Sequence, residues 1–505
     1  MPLTIFIPKE AASQRLTAYL SSQNVPVSAD CGGRGVCGKC RVRVLEGTFT
    51  QDAALTQPLT ADANGCVLAC RAFCPPEGAR IELPDTDGDG LTEFTHHQPE
   101  QTTTARAGYG VALDLGTTTL AASLVDLSSG ETLASVSRLN PQRSFGADVM
   151  SRITASCEHL AAMQKVILSA VREMTASLVQ THPDCIPNAL TVVGNPTMLH
   201  LFAGVDPSPM GAYPFTPVFT KEKMLPGKEL SLPFETVTLL PSASAFIGSD
   251  VTAGAAICGM RAQSGPSLLI DVGTNGEMLL CLGKDRGGAL SAASAAAGPA
   301  MEGAGISCGV GGIPGAICSV QAENQGISFV TVGGKGPVGL CGSGLIDLIA
   351  VLLEKKLLDD TGYLEDDPFE LFSDPARIFG EISLTQRDVR QFQLAKSAIR
   401  AGIEALLADA GIRAEDVENV YIAGGLGYYM NVRSAVAGGL LPACFASTAT
   451  AIGNSALAGA VRALVSPEFR AEVAAIAEEC RVIELNDSDV FNEGFIEYMA
   501  FPEKN

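Results

Sequence analysis

Lysine and arginine are scarce, 34 against 55 aspartates and glutamates, and the formal charge is −21. Nucleic-acid affinity rests on cations that neutralise phosphates, so with no basic stripe either, general binding to a phosphate backbone is excluded. Tryptophan is absent, and charged residues make up 18% of the chain beside 47% hydrophobic residues and 53 glycines. That balance excludes a disordered or collagenous chain and predicts a globular one. No G-x-x-x-x-G-K-S/T run occurs, which excludes a P-loop nucleotide site, and the G-x-G patterns around Gly309 to Gly315 lack the strand, turn and helix order such a site needs. The opening MPLTIFIPKE has neither the positive leader nor the apolar core of a secretory signal, so the cytoplasm is the expected address. The longest uncharged stretch, residues 434–461, is broken by Gly438, Gly439, Pro442, Gly453 and Asn454. It reads as close-packed buried helices and not as a bilayer span.

What is present divides the chain. Residues 1–84 read as a small α+β unit: an extended LTIFIP, an amphipathic SQRLTAYLSSQ, a cysteine-rich loop, a strand CRVRVLEG, then VLACRAF and RIELP. Residues 85–107, polar and without apolar period, read as a flexible linker. The linker's start imitates a calcium loop at Asp85, Asp87, Asp89 and Gly90, but the twelfth position is His96 where a bidentate Glu is required, so no calcium site is expected. Beyond it, β-rich and helical pieces alternate. No additional domain is read between the linker and the first of these strands.

Six of the 15 cysteines fall in the first 74 residues. In the cytosol such thiols are free or bind metal. The loop CGGRGVCGKC supplies Cys31, Cys37 and Cys40, and Cys70 completes C-x5-C-x2-C-x29-C. Four thiolates suit a 2Fe–2S cluster, and the glycines let backbone N–H groups turn toward the sulfurs. A zinc site of Cys37, Cys40, Cys66 and Cys70 would also provide four thiolates, but leaves Cys31 and the glycine-rich loop unexplained. The arrangement resembles a plant-type ferredoxin domain, of β-grasp fold, with one residue more between its first two cysteines. The resemblance favours Cys70 as fourth ligand through LAC at 68–70; Cys66 and Cys74 flank it and stay open. The other nine cysteines are expected to be small buried hydrophobes.

One repeat stands out: VALDLGTTTLAASLVD at 111–126 and LLIDVGTNGEMLLCLG at 268–283. Each is a buried strand, a turn of Asp, Gly, Thr and small polar residues, and a second strand. In the first turn Gly116 allows the tight bend, Thr117, Thr118 and Thr119 can hold phosphate oxygens, and Asp114 can hold Mg2+ through water. Asp271, Gly273, Thr274, Asn275 and Gly276 repeat the set, and a third glycine turn, IAGGLG, follows at 422–427.

This set resembles the ATPase superfamily of sugar kinases, actin and heat-shock ATPases, over nearly all of residues 108–495. The resemblance implies a two-lobed α/β ATPase domain: lobe I at 108–265 with the first phosphate hairpin, and lobe II at 266–505 with the second. Gly424, Gly425 and Gly427 would support adenosine, and Asp114 or Asp271 would orient the attacking water. Two further stretches stay open. GPAMEGAGISCGVGG at 298–312 is either a mobile cleft loop whose acid is Glu302 or a packed turn, and in GNPTMLH, His200 reads as structural before it reads as a ligand.

A ferredoxin-like domain ahead of such an ATPase resembles the reductive activators of corrinoid proteins. That resemblance implies ATP-dependent transfer of one electron to cobalt(II), giving cobalt(I), for a corrinoid-dependent methyltransferase or demethylase system. The cofactors it implies are a 2Fe–2S cluster, ATP and Mg2+; the partners are a cobalt(II) corrinoid protein and a low-potential electron donor, with a homodimer allowed. Two other readings stay open, an ATP-driven electron injector for another low-potential metalloenzyme and a metallocofactor chaperone with a structural cluster.

Overall fold

The computed structural model describes residues 3–22, 40–62, 65–83, 107–324, 326–373, 381–425 and 430–502. Cys31, Cys37, the calcium-like loop, all of the linker before residue 107 and Gly427 lie outside the described residues.

The first unit comprises β1 (Leu3–Ile7), α1 (Leu16–Ser22), β2 (Arg41–Glu46), β3 (Cys66–Leu68) and β4 (Ala79–Leu83), in the sheet order β1-β4-β2-β3 with antiparallel neighbours throughout. In β4, Ala79, Ile81 and Leu83 are buried while Arg80 is exposed, the two-residue alternation of a strand with one covered face. Leu16 and Leu20 lie one turn apart on α1 and close over Val42 and Ile81.

The rest of the described chain is a duplication. The first sheet holds β5 (Tyr109–Leu115), β6 (Thr119–Asp126), β7 (Thr132–Leu139), β8 (Pro187–Gly194), β9 (Lys223–Pro226) and β10 (Thr236–Leu239); α2 (Val149–Thr181), α3 (Pro196–Ala203) and α4 (Ser249–Ile257) accompany it. The second segment contains β11 (Ser267–Val272), β12 (Gly276–Cys281) and β13 (Leu290–Ala295). An excursion follows with β14 (Ala316–Ala322), β15 (Ile327–Thr331), β16 (Gly339–Leu340), α5 (Gly342–Glu354), β17 (Phe369–Ser373) and β18 (Glu381–Leu384). It closes with α6 (Gln386–Asp409), β19 (Asn419–Ala423), α7 (Val432–Ala437), β20 (Ala449–Gly453), α8 (Ser455–Val465), α9 (Pro467–Glu479), β21 (Arg481–Val482) and α10 (Asp489–Glu497).

The orders β7-β6-β5-β8-β10 and β13-β12-β11-β19-β20 are the same walk through two sheets, three antiparallel strands followed by two parallel ones. Each walk is followed by a helix, α4 after β10 and α8 after β20, and these two pack on each other. One core draws on both sheets: Ala112 and Val125 from the first, Leu269 and Leu279 from the second, with Ala253 of α4 and Ala460 of α8 between them. Alanine and glycine at this crossing let the backbones approach; a Cβ on Gly459 would stand 2.7 Å from that of Ala253.

Two expectations are corrected. Residues 434–461 are not helices alone, because β20 pairs parallel with β19 inside them. Nor are the nine later cysteines uniformly buried: Cys281, Cys318, Cys341 and Cys480 are, Cys185, Cys258, Cys308 and Cys444 are half-buried, and Cys157 is exposed on α2. Among the described residues no helix is long and apolar enough to cross a membrane.

Candidate functional site

Each hairpin is paired with a parallel strand that ends beside its acid or one residue beyond it. Asp114 lies beside Val193, so β8 delivers Asn195 to the turn; Asp271 lies beside Ala423, so β19 delivers Gly424. The two turns meet across a cavity of about 180 Å³ lined by residues of both sheets, among them Asp114, Thr117, Asp250, Asp271, Thr274 and Gly425. Thr118 and Thr274, 156 residues apart in sequence, bring their hydroxyl oxygens within 3.4 Å.

The first turn is held from behind. Asn140 donates from its backbone to Thr118 O at 2.8 Å and from Nδ2 to Gly116 O at 2.8 Å, and Arg152 Nη2 donates to Thr117 O at 2.6 Å. All three carbonyls of the turn are thereby engaged on the side away from the cavity. A loop that receives an anion must do this, since carbonyl oxygens facing the anion would repel it. Glycine is required at 116, where a Cβ would stand 2.4 Å from Thr119 O. Gly424 has φ +96° and its missing side chain leaves room for Asp271, whose Oδ1 would lie 2.7 Å from a Cβ there.

Several lining residues come from places the repeat does not mark. Asn195 caps α3 and donates from Nδ2 to Thr117 Oγ1 at 2.8 Å. Asn454 caps α8 and donates to Asp114 Oδ2 at 2.7 Å. Asp250 stands in the first turn of α4, and Glu277, directly after the second turn, accepts from Asn275 at 3.2 Å. In the stretch 298–312, Ala300 and Met301 are packed in the core, as the packed-turn reading expects, while Glu302 reaches the cavity. His200 is structural, its Nδ1 against Pro196 O at 2.6 Å and its Nε2 accepting from Val218 N at 3.1 Å. Asp250 and Asn454 follow small-residue runs and carry no signal of their own; Glu277 lies inside the quoted repeat, directly after its turn, and was the one within reach.

Burial raises the acids. Asp114 is pushed up to about 7 by desolvation, with Asp250 and Glu302 adding to it and Asn454 opposing; Asp250 is pushed up to about 6 by the same cause. Asp271 and Glu277 are raised well above the ordinary carboxylate range, first by burial and then by neighbouring acids. Such a set favours a cation. Among the described residues no three His, Cys, Asp or Glu stand close enough to hold a metal alone.

In the first unit, β2 starts directly after Cys40 and the turn Ala69–Arg71 follows β3. The strand pairing carries Cys70 to Cys40: Ala69 N donates to Cys40 O at 2.8 Å and Cys70 N to Cys40 Sγ at 3.5 Å. An N–H aimed at sulfur is what a cluster thiolate uses. Cys66 lies on β3 opposite Arg43, and Cys74 is a core residue whose thiol burial pushes up to about 11.

A ferredoxin-type unit ahead of a duplicated two-sheet clamp with paired phosphate-type turns defines an iron–sulfur protein of the actin and sugar-kinase superfamily. Family models agree along the chain: the 2Fe-2S iron-sulfur cluster binding domain at residues 4–74, the RACo middle region at 109–263 and the C-terminal domain of RACo, the ASKHA domain, at 265–505. The chain belongs to the family of reductive activators of corrinoid proteins. The corrinoid activation enzyme RamQ of Eubacterium limosum is 36% identical over 420 residues, covering 77% of this chain and 69% of that one. The reductase of the Co(II) methylated amine-specific corrinoid protein from Methanosarcina barkeri is 30% identical over 436 residues, covering 77% and 76%. A solved structure of a reductive activator for corrinoid, iron-sulfur protein matches with TM-score 0.73 at 28% identity, covering 98% of this chain and 96% of the other.

Proposed function

We propose that this chain delivers one electron to the cobalt(II) form of a corrinoid protein, giving cobalt(I), and that ATP bound between the two sheets governs the delivery. The observation that carries the reading is the convergence of two distant turns, with the hydroxyls of Thr118 and Thr274 3.4 Å apart over a cavity rimmed by acids. Thr117, Thr118, Thr119, Thr274, Asn275 and the turn glycines Gly116, Gly273 and Gly276 receive phosphate oxygens. Gly424, Gly425 and Gly427 lie against adenosine. Asp114, fixed by Asn454, suits Mg2+; Asp271, which no hydrogen-bond donor reaches among the described residues, is left to orient the attacking water.

Cys31, Cys37, Cys40 and Cys70 would hold a 2Fe–2S cluster, which when bound supplies a one-electron carrier. ATP helps by changing which state of the partner is favoured: a tenfold preference for one oxidation state shifts a one-electron potential by about 59 mV, and a preference of about 10⁴ by roughly 240 mV. The name of the Methanosarcina relative, reductase of a methylated amine-specific corrinoid protein, supports a corrinoid protein as the partner, and we read that partner as belonging to a methyltransferase or demethylase system. The reading places the chain in the cytoplasm, with a low-potential donor upstream.

The test is anaerobic mixing of the reduced chain with cobalt(II) corrinoid proteins, with and without Mg·ATP, followed by visible absorbance. Cobalt(I) is expected with ATP and not without it, and Asp271→Ala is expected to remove the difference. Equal rates without ATP would break the coupling. A cluster that does not cycle at low potential would instead favour the chaperone reading.

A further inference from the structure

Glu302 occupies the place where the two turns meet. Its Oε2 accepts from Thr118 Oγ1 at 2.7 Å and also from Thr274 Oγ1, so one carboxylate oxygen bridges both sheets. Its Oε1 lies 3.8 Å from where a Cβ on Gly273 would stand, over the glycine of the second turn. The loop beneath is anchored: Met301 and Ile306 are buried, and Ser307 donates to Asp388 Oδ1 from its backbone at 2.8 Å and from its hydroxyl at 3.0 Å. Behind the first turn, Arg152 is fully buried and donates to Gly146 O, Thr117 O and Met198 Sδ, with no carboxylate in ion-pair contact among the described residues. Burial pushes its guanidinium down to about 9, Arg143 adds to this, and Asp148 and Glu302 oppose it.

We propose that Glu302 is a built-in stand-in for the terminal phosphate of a nucleoside triphosphate and sets the cleft's response to triphosphate against diphosphate. This rests on the reading of the two hairpins as a nucleotide clamp. A carboxylate and a phosphate are both acceptors, and two hydroxyl protons cannot serve both. A triphosphate must therefore break the Glu302 bridge, whereas a diphosphate leaves it in place. The bridge ties the excursion after β13 to both turns, so its rupture marks the triphosphate state and its return marks hydrolysis.

The experiment is calorimetric titration of Mg·ATP and Mg·ADP into the full chain and into Glu302→Gln and Glu302→Ala, with thermal melts to establish that each is folded. The glutamine keeps the size and loses the charge; the alanine carries the same test should the glutamine variant not fold. Glu302→Ala, which removes the acceptor, is expected to bind ATP about 5-fold or more tightly than the unaltered chain, and Glu302→Gln, which loses the charge but keeps an acceptor oxygen, to gain less, with ADP affinity unchanged in both. Unaltered or weaker ATP binding overturns the inference, as does an equal gain for ADP. An unaltered chain that binds neither nucleotide overturns the clamp reading itself.

Discussion

Asp114 sits half-buried at the cleft, one residue before the end of its strand, and desolvation takes it from 3.8 to about 7. A carboxyl that folding makes harder to ionise holds more protons folded than unfolded, so its contribution to stability is full below the unfolded value and declines as pH rises toward the folded one. The window here runs from about pH 4 to about pH 7. Asp52, Asp126 and Asp359, lowered by hydrogen bonds at the surface, act oppositely, with stability gained as pH climbs through their own range, so the difference between chains is the clean measure. Melts of the nucleotide-free chain and of Asp114→Asn across that window should show the variant gaining relative stability as pH rises; parallel curves would contradict the burial of a titrating Asp114. At the other site, Cys70→Ser should lower iron and sulfide content while Cys66→Ser and Cys74→Ser keep them, because the backbone N–H of Cys70 donates to Cys40 Sγ. At this scale the two turns were legible as a pair because each sets Asp, Gly and Thr between buried strands, and residues of both line one cavity. Asn195, Asp250 and Glu302 were not assigned, because each acquires its place from a different strand or helix end.

An element carries the next layer of coupling. Asn454 accepts from Leu457 N at 2.7 Å as the cap of α8 and donates to Asp114 at 2.7 Å, so one side chain starts a helix of the second repeat and orients the acid of the first. Asn454→Ala should cost about 1 kcal/mol from the lost cap. It should also weaken Mg·ATP binding, since Asp114 loses the donor that favours its ionised form. A thermal melt and a nucleotide titration separate the two effects, and lost stability with unchanged affinity would reduce Asn454 to a cap. The duplication itself was legible at both hairpins, where the pattern of buried strand, glycine turn and buried strand repeats. It was not legible at β20, whose Ala, Thr and Gly composition reads equally as packed helix, and pairing with β19 decides the matter. The excursion between β13 and α6 was likewise invisible as an excursion, because nothing in its composition separates it from the sheet that it interrupts.

Across the whole molecule there are separate cores. The one beneath Cys40 and Cys70 draws its buried residues from positions 7 to 83, while the core shared by both sheets begins at Ala112 and runs to Cys480. A ligand that joins the two turns therefore acts on the second body: it closes a cleft whose walls already share α4 and α8. At about 100 times its dissociation constant, a ligand that binds only the folded state adds about 2.7 kcal/mol. Amide hydrogen exchange with Mg·ATP should show that gain in β5, β11 and α8, with β1 to β4 unchanged. Cys40→Ser, which removes a proposed cluster thiolate, should leave ATP affinity where it was. Protection that spreads equally into the first four strands, or ATP affinity that falls with the cysteine, would mean that the cluster unit and the clamp fold as one body, and electron delivery would then be governed by direct contact between them and not by which partner the closed clamp accepts.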